Sequence, residues 1–255
     1  MTLLNAYDVV IHATELRYWV LLLGSLSLGL LLIRWFDRLE GDTLHRAVRR
    51  MGGTLLAVQI LYQLYMAVHP DFHYSLHRSL PLHFCGINIW LVSLNCFWRH
   101  RMVYTFTAFL GTIGGFHALL TPQLTVGDAF PILLHFYFNH MALIVVPVVM
   151  TKALGMRFPK WGWVKAYLIA ALVSTLMVGV NGALNAWVPG EAVANYMYMT
   201  EAPIADNPFV FREWPWPWYI LPLHGALLLH LVVLNALYRW RAPMGGPEGR
   251  LPLWQ

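Results

Sequence analysis

Long apolar runs separated by short polar or charged segments are the dominant pattern of this chain. Seven of the runs approach the ~20 residues with which an α-helix crosses the ~30 Å hydrocarbon core of a bilayer. They cover residues 18–33, 53–68, 81–98, 102–120, 131–150, 164–184 and 217–238. The pattern therefore predicts an all-α polytopic membrane protein, with seven transmembrane helices in a single transmembrane domain over residues 1–255.

The third run is only just long enough to cross a bilayer. From Pro81 it has about 18 residues, which makes a helix of about 27 Å. Ser79 is a suitable N-cap and Pro81 a suitable first-turn residue for that helix. The stretch "SLPLHFCGIN" (79–88) therefore predicts a helix start near Pro81, with Cys85 in the first two turns.

Composition and charge agree with a membrane protein and add an orientation. Of the 255 residues, 58% are apolar and 11% are charged, unlike a soluble domain. All but Arg17, Arg78 and Arg212 of the 17 lysines and arginines fall at one end of the predicted bundle. By the positive-inside rule that end is cytoplasmic, which places the N-terminus outside and the C-terminus inside. This asymmetry accounts for the net charge of +5, so no nucleic-acid partner is predicted.

The end of the bundle that carries those three arginines is called the outer end below. Its longest connection covers residues 185–216 and contains "NYMYM" and "REWPWPW". A segment this long and aromatic predicts a lid or a lipid-facing flap over the bundle. The alternative is that Trp214, Trp216 and Trp218 form an ordinary interfacial aromatic belt.

The two cysteines, Cys85 and Cys96, must be considered separately. They fall on one predicted helix about 16 Å apart, too far for a disulfide, which needs Cα atoms within about 7 Å. Their spacing is not that of a zinc or iron–sulfur site either. Cys96 near the inner end is interpreted as a packing residue. Cys85 begins a helix, where the thiolate is favoured, so it is either a nucleophile or a buried packing residue.

Polar side chains concentrate at the outer ends of the predicted helices. Because such groups are costly in hydrocarbon and face the interior of a bundle, they predict a polar cavity at the outer end. The candidates for this cavity are His83, Cys85 and Asn88 of the third helix, His117 of the fourth, His135, Asn139 and His140 of the fifth, Asn181 and Asn185 of the sixth, Tyr196 of the long connection, and Trp218 of the seventh.

A thiol becomes a useful nucleophile when an imidazole can take its proton. His83 is a poor partner for Cys85, because residues two apart on a helix point about 200° away from each other. His135 and His140 point about 140° apart, so only one of them is predicted to face the cavity. A single histidine on an apolar helix face also commonly packs against a neighbouring helix, which is the alternative role for His140.

Histidine-rich segments raise the question of a metal. Three histidines in residues 69–77 are spaced four apart, but Pro70 and the sequence "DFHYSLHR" predict a loop with too few ligands. His117 follows Gly114 and Gly115, which favour close helix approach, so it is interpreted as a packing residue. No metal and no other cofactor are predicted, and a metal or redox membrane protein is kept only as a third hypothesis.

Five motifs together resemble a known family. They are "LPLHFC" at the third run, "GFHALLTP" at the fourth, "NHMALIVVP" in the fifth, "NYMYM" in the long connection and "PWPWYI" at the seventh. In this order they resemble the YwaF-like family of bacterial membrane proteins, which is related to animal transmembrane protein 164, an acyltransferase with a cysteine active centre. The resemblance covers about residues 53–238 and implies a protein integral to the bacterial cell membrane.

The resemblance also implies a reaction. Cys85 corresponds to the acyl-accepting cysteine and His140 to its paired histidine, in an enzyme that moves an acyl chain from a glycerophospholipid to a lysophospholipid. Membrane phospholipids are then the partners, and Asn88, Asn139 or Tyr196 could stabilise the oxyanion. With water as acceptor the same site is a lipid hydrolase. The alternative is a non-enzymatic lipid or small-molecule binding protein or transporter that uses the same cavity.

Overall fold

The computed structural model describes residues 9–69, 74–190, 192–204 and 207–241, and seven apolar helices lie within these ranges. They are α1 (Leu16–Phe36), α2 (Gly41–Val68), α3 (Phe84–Trp98), α4 (Arg101–Leu120), α5 (Phe130–Lys152), α6 (Gly162–Trp187) and α7 (Ile220–Arg241). All except α3 are long and apolar enough to cross a membrane. The predicted all-α polytopic membrane fold is confirmed.

The three central helices are α3, α4 and α5. More than half of the apolar windows of α4 and α5 is buried, against less than a quarter for α1, α2, α6 and α7. Val92, Phe109 and Leu143 are fully buried at the centre of this core. The four outer helices leave their leucine-rich faces exposed, as expected where the surrounding solvent is hydrocarbon.

Helix α4 packs unusually closely against α5. It contains a turn of π-helix at Thr107–Gly111, in which the Thr107 hydroxyl donates to the Val103 carbonyl at 2.9 Å. Gly111 and Gly115 lie four residues apart on its α5-facing side. A Cβ at Gly115 would lie 2.7 Å from the carbonyl oxygen of His140, so only glycine allows this approach. The close helix approach predicted at Gly114 and Gly115 is thus seen at Gly115, and Gly111 adds to it.

The start of α3 differs from the prediction. The helix begins at Phe84 and has 15 residues, so it is about 22 Å long and too short to cross the hydrocarbon core alone. Ser79 is not its N-cap, because the Ser79 hydroxyl accepts the Ser75 N–H at 3.1 Å within a preceding turn. The non-helical segment 79–83 precedes α3, and backbone of this kind is tolerated at membrane depth where it lines a cavity.

Two short elements flank the bundle at its outer end. Strand β1 (Val9–Val10) pairs antiparallel with β2 (Gln123–Leu124), which joins the start of the chain to the α4–α5 connection. The α6–α7 connection contains a turn of 3-10 helix at Tyr196–Tyr198. These elements and the segment 79–83 surround one recess between the helices.

Candidate functional site

A cavity of about 430 Å³ lies at the outer end of the bundle. Its walls are α2, the start of α3, the end of α4, the start of α5 and the α6–α7 connection. Six of the predicted site residues line it: His83, Cys85, His117, His135, Asn139 and His140. Its volume is within the range of small-molecule binding sites.

Cys85 is the second residue of α3 and faces α4. A Cβ at Gly114 would lie 3.1 Å from the Cys85 sulfur, so the absence of a side chain at Gly114 makes room for the thiol. The cysteine is half-buried and is not in a disulfide. Its sulfur therefore lies at the cavity wall, in the first turn of α3.

His140 approaches the same turn of α4 from α5. Its backbone carbonyl packs on Gly115, the residue next to the one that contacts the Cys85 sulfur. The His140 Nδ1–H donates to the Phe136 carbonyl at 2.7 Å, since a carbonyl can only accept. In the neutral ring Nε2 then carries a lone pair, and within the described chain no protein group bonds to it. His140 can therefore accept a proton at the cavity wall.

A network of amides orients the second histidine of α5. Gln59 and Asn139 exchange two hydrogen bonds across the α2–α5 interface, at 2.8 and 3.2 Å. The Asn139 NH₂ also donates to His135 Nε2 at 2.8 Å, with the Gln59 oxygen farther from that nitrogen at 3.2 Å. The ring proton of His135 is then on Nδ1, and the ring stacks on Tyr62 with centroids 3.4 Å apart. His135 thus offers an N–H donor, whereas the Asn139 amide is fully used.

A pair of hydrogen-bonded histidines, His117 and His230, borders the cavity beside α7. His230 Nδ1–H donates to the Ala226 carbonyl at 2.7 Å, so its Nε2 accepts from His117 Nε2–H at 3.1 Å. His117 Nδ1 in turn accepts from the Asn207 amide at 3.2 Å. The donors and acceptors of these three hydrogen bonds are mutually consistent, and the bonds link α7, α4 and the α6–α7 connection. His117 is therefore a linking residue rather than only a packing residue.

His83 is outside the helix, which changes its predicted geometry. Its backbone is extended at the N-cap of α3, so the rotation per residue of a helix does not separate it from Cys85. Its Nδ1 accepts the Met197 N–H at 3.3 Å, and its ring packs on Tyr196 and Tyr198. His83 joins the α6–α7 connection to the cavity wall.

Three predicted pocket residues instead form a clamp that holds the α6–α7 connection. Asn181 bonds both the N–H and the carbonyl of Tyr196 at 3.0 Å, and Asn185 does the same for Ala194 at 2.7 and 3.2 Å. The Tyr196 hydroxyl accepts from Leu80 N–H and donates to the Leu76 carbonyl. Burial raises the pKa of Tyr196 to about 12, so the hydroxyl keeps its proton. These side chains, called the clamp below, do not line the cavity.

Two further predicted pocket residues also lie outside the cavity wall. Asn88 is fully buried one turn deeper in α3, where its amide donates to the Phe84 carbonyl at 2.8 Å. Trp218 is 58% exposed on the outside of the bundle. Neither residue is part of the cavity wall.

The expectation that only one histidine of α5 faces the cavity was wrong. Both His135 and His140 line it, because the cavity extends around α5 from the α2 side, at Gln59, to the α4 side, at Gly114. A cavity bounded by two neighbouring helices accepts side chains from a wide arc of the third helix. The angle between two residues therefore does not exclude a shared cavity.

Four residues at or beside the cavity were not among the predicted site residues. Gln59 and His230 are single polar residues inside apolar runs, and examining the whole runs rather than their outer ends would have found them. Arg78 lines the cavity ahead of α3 and was used only for orientation. Asn207 lies in the connection 185–216, where no pattern in the sequence distinguishes it from its neighbours.

Comparison with protein families gives one match, to the TMEM164 family over residues 12–235. Comparison with curated proteins and with solved structures gives no match. The match covers every described helix except the last turns of α7. It agrees with the relationship predicted from the five motifs, and it includes both the cavity and the clamp. The chain therefore belongs to the TMEM164 family.

Proposed function

We propose that the protein is a membrane-embedded acyltransferase that moves an acyl chain between a glycerophospholipid and a lysophospholipid through Cys85 and His140. One observation carries the proposal. Adjacent glycines of α4 contact the Cys85 sulfur and the His140 backbone, and both side chains line one cavity with His140 Nε2 unbonded within the described chain. A thiol and an imidazole that share one cavity wall support a nucleophile and a base acting on the same substrate.

In the first half-reaction, the Cys85 sulfur attacks the ester carbonyl carbon while His140 Nε2 takes the thiol proton. The new C–S bond gives a tetrahedral oxyanion, for which the His135 Nδ1–H is a donor on the same cavity wall. Collapse breaks the ester C–O bond, and His140 returns the proton to the departing alkoxide. The products are a thioester on Cys85 and a lysophospholipid.

In the second half-reaction, the hydroxyl of a different lysophospholipid attacks the thioester. His140 Nε2 takes the hydroxyl proton, the C–S bond breaks, and the proton returns to the sulfur. The phospholipid that leaves carries the transferred chain, and no electrons are exchanged with a cofactor. The same residues act in both directions, as microscopic reversibility requires.

The direct test measures transfer of a labelled acyl chain from phospholipid to lysophospholipid by the purified protein. Cys85→Ala is expected to remove transfer, while Cys96→Ala is the matched control because Cys96 is fully buried in α3, where its thiol bonds the Val92 carbonyl. Equal transfer by wild type and Cys85→Ala would refute the proposal.

Release of free fatty acid in place of transfer, again dependent on Cys85, would make the protein a hydrolase with the same mechanism. Saturable binding of phospholipid with no product of either kind would make it a binding protein or transporter. Both results contradict the proposed acyltransferase, and the second also contradicts the role of Cys85.

A further inference from the structure

A second recess, called the outer pocket below, lies in the α6–α7 connection and is separate from the cavity. It has a volume of about 410 Å³ and shares no lining residue with the cavity. Its chemistry comes from six side chains: Glu201, Arg212, Glu213, Trp214, Trp216 and Tyr219. Three aromatic rings with two carboxylates and one guanidinium are an unusual combination for a loop surface.

The polar groups of two of the three aromatic side chains donate hydrogen bonds within the protein. The Trp216 indole N–H donates to the Met199 carbonyl at 3.0 Å, and the Tyr219 hydroxyl donates to the Tyr198 carbonyl at 2.8 Å. These bonds fix the rings and leave their carbon surfaces to the pocket. Trp214 and Trp216 are 46% and 57% exposed, so their surfaces are accessible.

The charges of the outer pocket are not neutralised by one another. Within the described chain, the salt bridges involve other residues and none joins Glu201, Arg212 or Glu213. The Glu201 backbone is fixed because its N–H and carbonyl both bond the Asn195 side chain, at 3.0 and 2.9 Å. Two carboxylates against one guanidinium leave a net negative pocket, which favours a cation.

We propose that the outer pocket binds the ammonium group of a zwitterionic lipid headgroup, with Arg212 against the phosphate of the same headgroup. Aromatic faces and carboxylates together recognise ammonium groups, by cation–π attraction and by charge. A guanidinium beside them pairs with a phosphate. Exposed tryptophans are typical of headgroup depth in membrane proteins, where zwitterionic lipids supply both charges on one molecule.

The outer pocket shares a wall with the cavity. Met197, Tyr198 and Pro203 line the cavity, whereas Thr200 and Glu201 of the same segment line the outer pocket. A headgroup held in the outer pocket therefore contacts the segment that closes the cavity. The binding site itself does not depend on the proposed catalysis.

The test uses the full chain labelled with 5-fluorotryptophan, in Cys85→Ala form so that no lipid is consumed. Nanodiscs of phosphatidylglycerol are titrated with phosphatidylcholine, and ¹⁹F signals are assigned with single Trp→Phe variants. The signals of Trp214 and Trp216 are expected to shift and saturate. Trp218, which is 58% exposed but lies outside the pocket, is the internal control and its signal is expected to stay unchanged.

Variants sharpen the assignment. Glu201→Gln with Glu213→Gln is expected to raise the half-saturating lipid fraction at least severalfold, while Glu40→Gln with Asp42→Asn, the same charge change at the inner end, leaves it unchanged. Trp214→Leu is expected to raise it about two- to fivefold, as cation–π energies at exposed sites imply. The melting temperature of each variant separates lost binding from lost folding.

Three outcomes would overturn the proposal. An equal shift of Trp218 would identify a general aromatic belt. Signals that respond to soluble glycerophosphocholine but to no lipid would identify a site for a soluble ammonium compound rather than for a lipid. If the Trp214 and Trp216 signals were the same in nanodiscs of phosphatidylglycerol alone and in nanodiscs that also contain phosphatidylcholine, recognition of the ammonium would be excluded. None of these outcomes bears on acyl transfer through Cys85.

Discussion

The cavity and the clamp lie at the same end of the bundle and contain the same kinds of residue, but they differ in how many polar atoms remain free. In the clamp, each amide group bonds backbone on both its oxygen and its nitrogen, as Asn181 does to Tyr196. In the cavity, His140 bonds backbone through Nδ1 only, which leaves Nε2 available within the described chain.

The difference teaches how one set of polar residues is divided between structure and chemistry. A side chain whose bonds are all made within the protein stabilises the fold and has nothing left for a substrate. A side chain that is oriented by one bond and open at its other end is both positioned and reactive. Changes to the clamp should therefore affect stability first, and changes to the cavity should affect activity first.

The largest expected effect comes from His140. His140→Ala should lower acyl transfer by about 10³-fold, because the general base is removed. Its melting temperature should change much less than its activity. Tyr196→Phe is the comparison: it should lower the melting temperature through the lost bond to Leu76 and keep most of the activity. If Tyr196→Phe lost more activity than His140→Ala, the proposed division between a stabilising clamp and a reactive cavity would be contradicted.

Next is the contact between α4 and α5. Gly115→Ala places a Cβ 2.7 Å from the His140 carbonyl oxygen, which must separate the two helices. We expect a loss of about 3 kcal/mol in unfolding free energy, together with reduced activity, since overpacking moves backbone. Gly179→Ala on α6 is the matched control, because no atom lies within 4 Å of its Cβ. Equal melting temperatures for the two variants would show that α4 does not set the position of His140.

A smaller loss of stability is expected in the clamp. Asn181→Leu leaves the N–H and carbonyl of Tyr196 without partners, which costs about 2 kcal/mol in unfolding free energy. Limited proteolysis should then cut the α6–α7 connection faster than in wild type. Thr175→Val, an exposed change on the same helix, controls for helix propensity. Unchanged cleavage in Asn181→Leu would mean that Asn181 does not hold this connection.

The smallest expected effect is the coupling between Gln59 and Asn139. Changing either residue alone to leucine leaves the partner amide without its hydrogen bonds, whereas changing both removes the two amides together. The unfolding free energy of the double variant should therefore be about 1 kcal/mol higher than the sum of the two single losses predicts. Thermal unfolding of the four proteins measures this coupling. Additive losses would show that the amide pair contributes no net interaction.

The sequence predicts the number of helices well, because the length of an apolar run follows from the thickness of the bilayer. It does not predict which face a polar residue occupies. Asn88 and Cys85 are three residues apart and only Cys85 reaches the cavity, because Gly114 of another helix leaves space there. The role of Asn181 likewise depends on a loop that folds back onto α6.

The start of α3 was missed for a related reason. Ser79 and Pro81 have the residue types of a helix start, yet Ser79 is used by the turn at Ser75 and the helix begins at Phe84. Local preference was overridden by the tertiary bonds from Tyr196 to Leu76 and Leu80. That shift brings His83 to the cavity wall and leaves Cys85 at the helix N-terminus.

The central claim is that Cys85 carries the acyl chain between two lipids. It is tested most directly by peptide mass spectrometry of the protein after brief incubation with acyl-labelled phospholipid and no lysophospholipid. We predict one labelled acyl group on the peptide that contains Cys85, released by neutral hydroxylamine as a thioester and transferred when lysophospholipid is added. An unmodified Cys85 during active transfer, or a stable acyl group on another residue, would contradict the claim.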